Sequence, residues 1–138
     1  MDLPKIGETI TTERAVELCK YFGLQSLVRR IELNPEAYKD WRFDGVSCVP
    51  DQLLGVIMGK DPRKITEQAL KHDLWYAYGD LQHEPIERWQ VDNDLKENLM
   101  EFAGLSDDEA DIFFWFVQKY GGSKFKKSYS WGFARKEK

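Results

Sequence analysis

Leu70-Lys71-His72-Asp73-Leu74-Trp75-Tyr76 places an imidazole and a carboxylate among apolar side chains. Around it, Asp61-Pro62 offers a cap residue followed by proline at the first helical position, and Gly79 offers a stop. Ile65, Ala69, Leu70, Leu74 and Ala77 supply apolar positions between them, so the stretch reads as the middle to later part of a helix. At about 100° per residue, His72, Asp73 and Tyr76 fall on one side of it. A neutral imidazole there can act as a general base, and the adjacent carboxylate can hold a cation. The plainer alternative is a histidine that caps a polar rim of the core.

Two further helices follow. His83 sits in the polar turn 79–84 as a solvated loop residue, and Pro85 opens a helix that runs to about Ala103. Trp89, Leu95, Leu99 and Phe102 are expected to pack inward. Asp92 lies three residues from both Trp89 and Leu95, on or near that apolar stripe. A carboxylate in that position needs a partner, because an isolated buried charge is too costly, and His72 is a natural candidate. The alternative is a rim aspartate in water. Gly104 stops the helix, and Ser106-Asp107-Asp108-Glu109 forms a capping box for the next. That helix carries Ile112-Phe113-Phe114-Trp115-Phe116-Val117, six apolar residues implying burial on most sides or a strongly apolar exposed face.

Upstream, Thr11 or Thr12 can cap a helix reaching to about Glu32, which Gly23 kinks or splits and Asn34-Pro35 ends. Residues 1–10 read as an extended lead. Residues 38–51 have no helical period and read as an ordered loop with short extended pieces. Asp40, Asp44 and Asp51 make this loop oxygen-rich, which suits a hard cation such as Ca²⁺, although the spacing is not that of an EF-hand.

The chain has 138 residues, 42% of them hydrophobic and 14% aromatic, enough for one folded domain with its own core. The domain is expected over residues 1–122, with 123–138 as a tail. Twenty basic against 24 acidic side chains give a net charge of −4, which makes no global case for nucleic-acid binding. The tail differs: Lys124, Lys126, Lys127, Arg135, Lys136 and Lys138 stand against Glu137, interleaved with Phe125, Tyr129, Trp131 and Phe133. Such a segment can sit at an anionic lipid surface or, as a weaker alternative, bind nucleic acid, or its aromatics can fold back on the core. Cys19 and Cys48 set neither a disulfide framework nor a metal cluster, and free thiols are expected. No signal-peptide pattern and no transmembrane run is present, so a cytoplasmic or virion-associated protein is expected.

Four of these segments together resemble a known pattern. Asp40-Trp41-Arg42-Phe43-Asp44-Gly45, Pro50-Asp51, Lys71-His72-Asp73-Leu74-Trp75-Tyr76 and Val91-Asp92-Asn93-Asp94-Leu95 look like the small bacterial and fungal secreted phospholipases A2 in order and approximate spacing. The likeness covers roughly residues 38–122. Asp44-Gly45-Val46-Ser47-Cys48-Val49-Pro50 and Gly121-Gly122 also resemble an uncharacterised domain family common in bacteriophage and prophage genomes, and in the Gly45 and Ser47 details this second family is closer. The resemblance implies a mostly α, phospholipase A2-like domain with two central antiparallel helices and an ordered metal-type loop. It implies Ca²⁺-dependent hydrolysis of a phospholipid ester, with His72 as general base, Asp92 orienting the imidazole and Tyr76 donating to Asp92. Asp73, Asp44 and the Gly45 carbonyl would hold Ca²⁺, while Phe125, Lys126, Lys127 and Trp131 would meet the membrane or a partner. The second likeness implies instead a non-catalytic phage structural or accessory protein that keeps the scaffold and meets virion or tail proteins.

Overall fold

The computed structural model describes residues 2–5, 7–43, 56 and 58–120, with backbone alone for Leu81 and Tyr120. It is mostly helical. Five α-helices lie among the described residues: α1 (Thr12–Phe22), α2 (Gln25–Leu33), α3 (Pro62–Ala77), α4 (Glu84–Ala103) and α5 (Asp107–Tyr120). Two short strands, β1 (Thr9–Ile10) and β2 (Trp41–Arg42), pair antiparallel with Thr9 opposite Arg42 and Ile10 opposite Trp41.

Local signals account for most helix ends. Thr11 accepts a hydrogen bond from the Arg14 amide at 3.1 Å and starts α1. Asp61 does the same for Arg63 at 3.0 Å and starts α3, with Pro62 in its first turn. Ser106 and Glu109 bond reciprocally at 2.9 and 3.2 Å ahead of α5, which satisfies two amides that have no partner within the helix. At the other ends, Gly23 and Gly104 take left-handed backbone, with φ of 75° and 72°. The helix expected from Thr12 to Glu32 is therefore two helices, split at Gly23.

Among the described residues a Cβ at Gly23 would meet nothing within 4 Å, so the left-handed backbone is what opposes a side chain there. Gly23→Ala is expected to destabilise the protein by roughly 1 kcal/mol, the cost of a left-handed alanine. A urea titration checks it; an unchanged midpoint would mean that α1 and α2 can join without this turn.

The helix α3 serves two cores. On one side, Ile65 and Tyr76 join Val91, Leu95, Leu99, Ala103, Leu105, Ala110, Phe113 and Val117 of the α4–α5 layer. On the other, Leu70, Leu74 and Ala77 join Ile10, Leu18, Leu27, Ile31, Trp41 and Phe43 of the strands, α1 and α2. Only a helix apolar on two faces can do this, and the pattern of 65, 70, 74, 76 and 77 provides both. The link after α3 is short, so α4 runs back along it: Tyr76 and His72 meet Asp92, and Lys71 lies over the Phe102 ring. Polar contacts fasten the layers. Arg30 of α2 pairs with Glu87 of α4 at 2.8 Å and bonds the Tyr78 carbonyl at 2.6 Å. The buried Trp41 indole donates to the Tyr78 hydroxyl at 3.2 Å.

Two expectations for the helical faces need correction. Trp89 and Phe102 do not pack inward; they are 50% and 46% exposed. The buried stripe of α4 is Val91, Asp92, Leu95, Leu99 and Ala103, which turns Trp89 and Phe102 outward. In α5 the apolar run is not buried all round: Phe113, Phe114 and Val117 face the core, while Ile112 and Trp115 are exposed. No helix of the described residues is long and apolar enough to cross a membrane.

Candidate functional site

The antiparallel pairing of α3 and α4 brings His72, Tyr76 and Asp92 together. His72 and Tyr76 lie one turn apart on α3, so both side chains reach the same point on α4. His72 Nε2 lies 2.8 Å from Asp92 Oδ1, and the Tyr76 hydroxyl donates to that same oxygen at 2.5 Å. The imidazole and phenol rings lie 4.2 Å apart between centroids. Asp92 has no exposed surface, and His72 and Tyr76 are buried as well.

Two more side chains hold the second oxygen of Asp92. Gln118 of α5 donates from Nε2 to Oδ2 at 2.6 Å, and Arg88 Nη1 lies 3.5 Å from the same atom. Neither residue was expected from the sequence. Arg88 stands four residues before Asp92 on one helix, a spacing that signals such a pair. Gln118 stands four after the buried Phe114, and a polar residue on a buried stripe was the only local sign of it.

The other imidazole nitrogen, His72 Nδ1, lies 3.8 Å from Asp73 Oδ1, and Asp73 is only 7% exposed. Two carboxylates thus flank one buried ring. Burial alone drives the imidazole pKa down, but the hydrogen bonds and charges of Asp73 and Asp92 outweigh it and raise the value from 6.5 to about 9. Burial, reinforced by the neighbouring Asp92 charge, pushes the Tyr76 phenol well above its ordinary value. The Tyr76 hydroxyl therefore remains a donor.

A raised pKa fixes a sign. The protonated ring contributes its full stabilisation below pH 6.5 and loses it as pH rises through about 9. The thermal midpoint of the calcium-free wild type is expected to fall across that window, as nitrogen-15 spectra of the ring pass from two protonated nitrogens to one. A ring that titrates at or below its ordinary value in the calcium-free protein would contradict its placement between two carboxylates.

Beside the ring is a pocket of about 270 Å³ between the α1–α2 junction and the α3–α4 pair. Phe22, Leu24, Trp75, Val91 and Leu95 supply apolar walls, and His72, Gln68, Lys71, Asp94 and Asn98 supply polar or charged ones. Gln68 is 4% exposed and its Oε1 has no hydrogen-bond partner among the described residues.

Other sequence candidates lie elsewhere. His83 is on the surface, 2.8 Å from Asp80, away from the buried carboxylate. Cys19 is buried and free, and burial pushes its thiol up to about 12, so it is no nucleophile. Asp44, Gly45 and Cys48 of the metal-type loop lie outside the described residues, as do Phe125, Lys126, Lys127 and Trp131 of the tail. Asp73 is thus the expected calcium ligand that the described residues place at the site. Its carboxylate oxygens suit a hard cation. A separate acidic cluster, Asp107, Asp108 and Asp111, opens α5, and Lys96 lies among it at 3.3 and 2.5 Å.

Comparison of the chain with protein-family models, with curated proteins and with solved structures finds no match in any of the three.

Proposed function

We propose that this protein is a Ca²⁺-dependent ester hydrolase of the phospholipase A2 type acting on a phospholipid, with its catalytic centre at His72. One observation carries the reading: a buried imidazole bonded through Nε2 to a fully buried aspartate, which a tyrosine also holds, while Nδ1 faces a second carboxylate. This is an arrangement for making one ring nitrogen basic while fixing the other. His72 Nδ1 takes the proton of the attacking water. Asp92 keeps Nε2–H pointed inward and stabilises the imidazolium that forms. Tyr76 holds Asp92 by its shared oxygen, and burial of all three excludes competing water. Asp73 is the residue that would bind Ca²⁺, with Asp44 and the Gly45 carbonyl as the further ligands that the resemblance implies. Calcium bound there supplies positive charge to the ester carbonyl as it becomes an oxyanion. The apolar walls of Phe22, Leu24, Trp75 and Leu95 suit an acyl chain that ends at the ring.

Calorimetric titration with millimolar Ca²⁺ tests the metal part. Wild type is expected to bind, and Asp73→Asn, which keeps the shape and removes the charge, is expected to lose binding by at least tenfold. Absence of heat with wild type would remove the calcium-dependent chemistry.

Two observations favour a second reading, a non-catalytic phage-type structural or accessory protein. With no cation on Asp73, an imidazole raised to about 9 holds its proton at neutral pH and is then not a base. In addition, Ile86, Trp89 and Trp115 expose 69%, 50% and 66% of their surface, an apolar area suited to assembly. Co-purification with virion or tail proteins, with no chelator-sensitive hydrolysis, is the outcome expected of that reading.

A further inference from the structure

We infer that Gln118 and Arg88 form a clamp on the second oxygen of Asp92, which makes the last turn of α5 a positioning element of the site. Its functional part rests on the hydrolase reading; its structural part does not. Oδ1 of Asp92 already serves two partners, His72 at 2.8 Å and Tyr76 at 2.5 Å. A carboxylate held by one oxygen can still turn about its Cβ–Cγ bond and exchange its oxygens. Gln118, bonded to Oδ2 at 2.6 Å, fixes the carboxylate plane, and so the direction in which Oδ1 faces the ring.

The chemistry of the clamp suits that task. Gln118 is a neutral donor in direct contact with Oδ2, and the one cation of the clamp, Arg88, stands farther off at 3.5 Å. Arg88 holds the backbone from which Gln118 projects: its Nη1 donates to the carbonyls of Val117 and Gln118 at 3.2 and 3.0 Å. Both carbonyls lie in the final turn of α5, where carbonyls have no partner within the helix. The same Nη1 lies 3.5 Å from Oδ2. Three helices, α3, α4 and α5, thereby converge on one carboxylate. Apolar packing of Phe113, Phe114 and Val117 would dock α5 without any of these bonds.

The test is Gln118→Met, which keeps length and helix preference and removes the donor. Two readouts are taken on the full chain: the His72 Nε2–H proton resonance, and kcat and KM for phospholipid vesicles with Ca²⁺. The resonance is expected to move upfield or broaden. Turnover should fall on the order of 10- to 100-fold at unchanged KM, as for a catalytic group displaced without loss of substrate contacts. Asp108→Ala, an exposed change on the same helix, should alter neither. An unchanged resonance in folded Gln118→Met overturns the clamp. Should that variant not fold, Arg88→Gln carries the test, because the shorter neutral amide gives up the carbonyls that Nη1 holds and the charge beside Oδ2; an unchanged resonance again overturns it. If wild type hydrolyses nothing, the hydrolase reading fails and the resonance alone decides the clamp.

Discussion

Asp92→Ala is expected to cost about 3–5 kcal/mol of folding stability, the range for removing one partner of a buried charged network. Asp92 is entirely buried and accepts from His72, Tyr76 and Gln118, with Arg88 beside it. Removing its carboxylate takes away the acceptor of the His72 Nε2–H, the Tyr76 hydroxyl and the Gln118 amide in one interior space, while Arg88 keeps the Val117 and Gln118 carbonyls. Water entering the cavity would satisfy some of these donors, which sets the lower end of the range. The loss should appear as a fall in thermal midpoint of about 10–17 °C, scaled for a chain of this length. A loss below about 1 kcal/mol in denaturant titration would mean that the donors relax to other partners and that the carboxylate is not the hub of the α3–α4–α5 contact.

The parts of this arrangement legible in the sequence are those set by neighbours along the chain. Thr11, Asp61-Pro62, Gly104 and the Ser106–Glu109 box mark helix ends through bonds spanning two to five residues, and they were readable for that reason. Asp92 was legible as a residue in need of a partner because a charge on an apolar stripe cannot stand alone. Trp89 and Phe102 show where periodicity runs out. The core of α4 includes Asp92 itself, so a search for the most hydrophobic stripe drifts toward the two aromatics and away from Val91, Leu95 and Leu99. Gln118 was illegible for a different reason. It meets Asp92 across 26 residues, and the contact exists only once α5 has packed on α4. The face of α5 that stays exposed, Ile112 and Trp115, was likewise undecided by six apolar residues in a row, since any face of such a run could be the buried one.

His72→Ala is the second large effect, and it falls on activity rather than on folding. Loss of a general base removes about 10²- to 10⁴-fold in rate, and loss of the imidazolium that Asp92 stabilises belongs to the same deletion, so a fall near the upper end is expected in kcat for phospholipid vesicles. The fold should survive. With the ring gone, Asp92 still accepts from Tyr76 and Gln118 and lies 3.5 Å from Arg88, so its charge is not stranded. Truncation of the ring also opens a space beside the existing pocket, and added imidazole that enters it should restore part of the lost rate. The two variants separate the two readings of the protein. A scaffold without turnover needs Asp92 as much as an enzyme does, because the carboxylate joins three helices. It has no use for a base at position 72. Hydrolysis that persists unchanged in His72→Ala would therefore move the chemistry away from this ring altogether, whereas a rate lost in a folded variant and partly returned by imidazole requires that the proton passes through it.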